Sequence, residues 1–186
     1  MISSWLVRRS STPSTGAKCC TRTPCPTPPI TRLPRWSGRG VSQNIDGLHQ
    51  KAGSRNVLEL HGSVHRNFCM DCREAYSLQQ VLESKGEYPR CSRCGGVVKP
   101  DVVLYQESLD MDLLQRAAMY IKQADVLIVA GTSLTVQPAA GLVRLYEGDK
   151  FILINKSATP MDGMADYLIS DSVAKVLGMM VGGERL

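Results

Sequence analysis

Four cysteines constrain this chain more than any other feature. "CMDC" (Cys69, Cys72) and "CSRC" (Cys91, Cys94) are separated by 18 residues. That spacing, C-x2-C-x18-C-x2-C, suits two knuckles turning their thiolates toward one tetrahedral zinc ion. Gly95 and Gly96 follow the second knuckle and free the backbone there. Four thiolates complete the coordination shell and leave no position for water, so the expected metal is structural. Disulfides are the competing reading, but no secretory signal precedes the cysteines, and the thiols of a cytoplasmic protein stay reduced. A zinc-ribbon nucleic-acid binder is a further reading of the knuckles alone. Mixed charge between them (Asp71, Glu74, Glu83 and Glu87 among Arg73, Lys85, Arg90 and Arg93) and the low aromatic content argue against it.

Beyond residue 107 the pattern alternates. "SLDMDLLQRAAMYIKQ" places Leu113, Leu114, Ala117, Ala118 and Ile121 on one helical face, with acids in the first turn and Lys122 near the end. "DVLIVAG" follows as a continuous apolar run. "QPAAGLVRLYEGD" reads as a helix that opens near Pro138 and stops near Gly148. "KFILIN" and "DYLIS" read as strands, and "DSVAKVLGMMV" as a last helix capped by Asp171 or Ser172. Strands that are apolar throughout are covered on both faces, the mark of a parallel sheet flanked by helices. The expected fold is therefore α/β, a Rossmann-like doubly wound parallel sheet with a small zinc-ribbon module.

In such sheets ligands bind beyond the carboxyl ends of the strands. Two polar turns fall there, "GTSL" (Gly131, Thr132, Ser133) and "NKS" (Asn155, Lys156, Ser157). Each suits a ribose or phosphate, and each equally suits an ordinary capped turn. Upstream, "SQNIDGLH" clusters Gln43, Asn44, Ile45 and Asp46. The cluster is either an Asx-rich turn or a convergent set of hydrogen-bonding groups. "LELHGSVH" then places His61 beside Gly62. That histidine is a candidate base, or a satisfied structural residue.

Charge separates a head from a body. The chain of 186 residues carries a formal charge of +5. Residues 1–41 hold seven Lys or Arg, no acid, six of the ten prolines and three of the seven cysteines. The body is thus slightly acidic and gives no electrostatic case for nucleic acid. The head cannot bury enough apolar surface to offset its ordering entropy and reads as disordered. An out-of-frame stretch, a transit peptide and a genuine basic tail are its three explanations. No run is long and apolar enough to span a membrane, and the body is placed in the cytoplasm.

Taken in order, QNIDGLH, ELHGS, the paired CxxC motifs, "GGVVKPDVVLYQE", "AGTSL" and "ILIN" resemble the sirtuins, NAD-dependent protein lysine deacylases, over residues 41–181. The likeness is greatest to single-domain bacterial members. It implies a catalytic domain over residues 41–181 containing a zinc module at 65–100, with a head at 1–40 and a tail at 182–186. It implies that the acyl group passes from lysine to ADP-ribose as nicotinamide leaves. His61 would be the base. Gln43, Asn44, Ile45, Asp46, Gly131, Thr132, Ser133, Asn155, Lys156, Ser157 and Val173 would bind NAD. Val102, Val103, Leu104 and Tyr105 would pair with an acylated peptide by strand addition. Gln106 stands where many members have Gly. No stretch of residues 1–40 matches the first central strand and glycine-rich phosphate loop of the family. This leaves an alternative, a catalytically defective zinc-bearing fragment.

Overall fold

The computed structural model describes residues 4–8 and 38–182. A six-stranded sheet has the order β3-β2-β1-β7-β8-β9: β1 Ser4–Arg8, β2 Arg39–Ser42, β3 Val57–Glu59, β7 Val126–Ala130, β8 Lys150–Ile154 and β9 Tyr167–Ile169. The β2–β3, β7–β8 and β8–β9 pairs are parallel, the last two in keeping with the continuous apolar runs of β7 and β8. Strand β1 is antiparallel to both of its neighbours, with Ser4 opposite Ser42 and Ala130.

Two helical layers cover the sheet, and the strand period decides which residue meets which layer. Leu127, Val129, Phe151 and Leu153 face one core, together with Ala117 and Ile121 of α3 (Met111–Lys122) and Ala140 and Val143 of a 3₁₀ helix (Ala139–Leu145). The alternate residues Ile128, Ala130 and Ile154 face the other core. There they meet Val176 and Leu177 of α4 (Val173–Gly182), and Leu48 of α1 (Leu48–Lys51) packs at its margin. This is the doubly wound arrangement. The Asp110 carboxylate caps α3 by accepting from the Asp112 and Leu113 amides. The stretch after Pro138 forms a 3₁₀ helix where periodicity suggests an α-helix. Its Gly141 N–H donates to the Pro138 carbonyl, three residues back.

Where it is described, the head departs from the disorder its composition implies, since Ser4–Arg8 joins the sheet. Without it, β2 and β7 would each bury an unpaired ladder edge, and an unpaired buried amide costs about as much as a lost hydrogen bond. "SWLVR" holds three residues that suit a strand, a local signal diluted by the surrounding Pro, Ser and Arg. Strand β2 also begins at Arg39, two residues before the expected boundary. The rest of the head, with Cys19, Cys20 and Cys25, lies outside the described residues, as do residues 183–186. Among the described residues no helix is long and apolar enough to cross a membrane.

A second, three-stranded sheet has the order β5-β4-β6: β4 Gly62–Cys69, β5 Ala75–Ser77 and β6 Val98–Val102. Helix α2 (Leu78–Leu82) follows β5, with a capping box between Ser77 and Gln80. Strands β4 and β6 pair from Gly62↔Val102 at one end to Cys69↔Val98 at the other. At the first end Gly62 has φ 77°, and a Cβ there would overlap the Asp101 carbonyl. Gly62→Ala therefore combines a left-handed backbone with a collision against main chain. The expected cost is at least about 2 kcal/mol, read as a lower urea midpoint at unchanged slope. A midpoint equal to wild type would contradict the close approach.

Candidate functional site

A cleft of about 760 Å³ lies between the sheets. It gathers nine of the residues singled out from sequence: Gln43, Asn44, Ile45, Asp46, His61, Val102, Val103, Leu104 and Tyr105. The loop after β2 is stitched to the start of β4 by three bonds. Val64 N–H donates to the Ile45 carbonyl at 3.0 Å, and His65 Nε2 lies 2.9 Å from the Asp46 carbonyl. His61 Nδ1 lies 3.0 Å from the Gln43 carbonyl. A carbonyl only accepts, so the neutral ring carries its proton on Nδ1 and keeps Nε2 as the basic nitrogen. The Asx-turn reading of this loop also holds in part. Asp46 Oδ1 accepts from the Leu48 amide, and Ser42 Oγ from the Asn44 amide.

The opposite wall is the chain leaving β6. Val103 N–H donates to the His61 carbonyl at 3.1 Å, tying that wall directly to the histidine. Glu107 then closes a turn. Its carboxylate accepts from Leu104 N–H at 2.8 Å and from Lys99 Nζ at 3.4 Å, and the Leu104 hydrogen bond is the larger cause holding its pKa below the ordinary carboxylate range. Gln106 sits in this turn at φ 71°, which explains why glycine suits the position. Tyr105 is fully exposed at the cleft mouth. Among the described residues β6 is an edge of its sheet, taken at its Val98 end by the Pro89 carbonyl and otherwise the side at which a strand could be added.

The remaining sequence candidates form a second group at the carboxyl ends of β7 and β8. Asn155 spans the two turns there, its amide donating to the Thr132 and Ser157 carbonyls at 3.0 Å each. Gly131 takes φ 64° and donates to the Ile154 carbonyl. Thr132 is buried and its hydroxyl accepts from the Leu134 amide, so here the capped-turn reading is satisfied in full. Lys156 and Ser133 flank these turns, and Val173 begins α4. These turns lie beyond the carboxyl ends of the strands, the side on which such sheets bind ligands. This second group does not line the 760 Å³ cleft. Sequence reading missed Glu107 and the segment Val136–Pro138, which do. A proline four residues after the polar GTSL turn was the available signal for the latter.

The four cysteines converge at the far end of β4 and β6. Their sulfur atoms all lie within 4.8 Å of one another, with Cys69–Cys94 and Cys72–Cys91 at 3.5 Å. A disulfide needs about 2.05 Å, so these are thiols. Zinc–sulfur bonds of about 2.3 Å put tetrahedral sulfurs a little under 4 Å apart, and the cluster fits that ion. Crowding adds to the case. Despite the Gly96 amide favouring its thiolate, Cys94 is pushed up to about 12 by Cys72 and Cys69, because adjacent thiolates cannot all ionise without a cation between them. A Cβ at Gly96 would collide with the Asp71 carboxylate and press on Cys69 Sγ.

His49 presents a different problem. It is 4% exposed and its Nε2 has no partner among the described residues. Burial lowers its pKa from 6.5, against the opposing pull of Asp46 and Glu59. The unfolded chain therefore takes up a proton that the folded chain resists. Stability is complete above about pH 6.5 and is lost as pH falls below it. His49→Gln should flatten the difference in urea midpoint between pH 7.5 and pH 5.5, and parallel curves for the two proteins would contradict the burial account.

Comparison with known proteins agrees with this geometry. The profile of the Sir2 family matches residues 36–138. An NAD-dependent protein deacetylase of Clostridium acetobutylicum is 59% identical over 141 residues, covering 76% of this chain and 58% of the relative. That of Clostridium perfringens is 57% identical over 142 residues, covering 76% and 58%. The chain thus spans a little over half the length of these curated relatives. Among solved structures, a Sir2–p53 peptide–NAD+ complex superposes with TM-score 0.75 at 32% identity, over 84% of this chain and 70% of the other. A Sir2 complex with an inhibitor, 2'-O-acetyl-ADP-ribose and deacetylated p53 peptide gives TM-score 0.69 at 38% identity, over 77% and 64%. With the family profile matching more than half of its length, this chain belongs to the Sir2 family.

Proposed function

We propose that this protein is an NAD-dependent protein lysine deacetylase acting in the cytoplasm, with residues 41–181 as the catalytic domain and 65–100 as its zinc module. The observation that carries the reading is the His61 arrangement. Its ring is fixed by the Gln43 carbonyl, and its own carbonyl is bonded to the wall that would receive the peptide.

In this reading Val102, Val103, Leu104 and Tyr105 offer an open edge to an acylated peptide, whose lysine enters the cleft toward His61. NAD, when bound, supplies the ribose carbon that takes the acyl group and the nicotinamide that leaves. Gln43, Asn44, Ile45 and Asp46 line the region next to His61. Gly131, Thr132, Ser133, Asn155, Lys156, Ser157 and Val173 hold the nucleoside end. The neutral imidazole accepts a proton at Nε2, and the Gln43 carbonyl stabilises the imidazolium through Nδ1–H. Zn2+ at Cys69, Cys72, Cys91 and Cys94 has no open position and acts on structure alone. Reduced thiols are consistent with the cytoplasm.

A second reading draws on the direction of β1. A phosphate-binding loop in a Rossmann-like sheet follows a strand at its carboxyl end. Here the amino end of β1 faces Ser42 and Ala130 at that side of the sheet. The chain would then be a zinc-bearing fragment without turnover. The test is nicotinamide release from NAD with an acetyl-lysine peptide, alongside NAD binding by calorimetry. The deacetylase reading expects release that His61→Ala lowers by at least about 100-fold with NAD binding retained. Absence of both binding and release in the wild-type chain would favour the fragment.

A further inference from the structure

The zinc assignment accounts for four sulfurs but not for the tyrosine beside them. Tyr76, on β5, packs its ring against the cluster of Cys69, Cys91 and Val98. Its hydroxyl oxygen lies 2.8 Å from the Ser92 amide, 3.1 Å from Ser92 Oγ and 3.2 Å from Cys91 Sγ. The amide can only donate, so one lone pair of the phenol oxygen is filled by Ser92 N–H. When Ser92 Oγ–H donates to the second lone pair, the single phenolic proton has one acceptor left, the Cys91 sulfur. A hydroxyl aimed in this way at a ligating sulfur is a charge-assisted bond once that sulfur is a metal-bound thiolate.

We propose that Tyr76, oriented by Ser92, is a positioning residue of the metal centre that donates a hydrogen bond to the Cys91 thiolate and slows loss of the metal. This role rests on the zinc reading and is independent of deacetylase activity. It also links the knuckles to β5, because Tyr76 is paired with Asn67 in β4, two residues before the first ligand. One side chain thereby fixes the second knuckle against the strand that carries the first. Partners around metal ligands commonly alter metal affinity 10–100-fold when removed.

Tyr76→Phe removes only the hydroxyl and retains the ring packing. The full chain would be loaded with zinc and challenged with excess EDTA, with residual metal followed by mass spectrometry. The variant is expected to lose zinc about 10-fold faster than wild type. Tyr88→Phe, in the same module but away from the sulfurs, is expected to match wild type. As a second readout, the cobalt-substituted chain reports sulfur electronics directly. Losing a donor to Cys91 should move the thiolate-to-cobalt charge-transfer band to longer wavelength. Equal release rates together with superimposable cobalt spectra would overturn the role. A wild-type chain that takes up neither zinc nor cobalt would overturn the metal reading beneath it.

Discussion

The pairing of β4 with β6 is the interaction on which the rest of the structure depends. At one end of this ladder Cys69 opposes Val98, within the thiol cluster. At the other end Gly62 opposes Val102, and the next bond runs from Val103 N–H to the carbonyl of His61. The ladder is irregular in between, with a register shift between Ser63 and Asn67. Strand β5 pairs with β4 only at Arg66–Phe68, so beyond the bulge the Gly62–Ser63 end has two strands and little independent stability. The sulfur centre therefore acts as the clamp at one end of a pair whose other end sets the width of the cleft.

That arrangement explains why a metal without an open coordination position belongs to a domain of this kind. The chemistry attributed to His61 needs the position of the peptide wall relative to the ring held to within about 0.5 Å. Arg66 adds a second tie across the same pair, bonding Glu59 at 2.8 Å and Asp101 at 2.9 Å. Exposed ion pairs contribute little stability. Glu59 is the exception, its side chain only 9% exposed and two residues from His61. The histidine is thus braced on its β3 side by an ion pair and on its β2 side by the Gln43 carbonyl.

Much of this was legible in the sequence, for identifiable reasons. The alternating cores of β7 and β8 follow from uninterrupted apolar runs, and α3 follows from its spacing and its Asp110 cap. The metal site follows from spacing alone, because two C-x2-C knuckles admit few other geometries. Two features were not legible. The role of Glu107 depends on a turn whose left-handed residue is Gln106, which carries none of the signal a glycine would give. The insertion of Ser4–Arg8 depends on a gap between β2 and β7 that is created by long-range topology. Local propensity sees such a strand only faintly among prolines and arginines. Asp46 shows the converse, since one residue both makes the Asx turn and lines the cleft.

Amide exchange at Val103 tests the clamp most directly. Exchange would be followed by NMR on the zinc-loaded chain and again after chelation, with core amides of β7 such as Ile128 as the internal reference. If the thiol centre holds the ladder, metal removal accelerates exchange at Val103 by more than about 10-fold while Ile128 stays protected. Undiminished protection at Val103 after the metal has gone would show that the cleft wall is held without the cluster, contradicting the account.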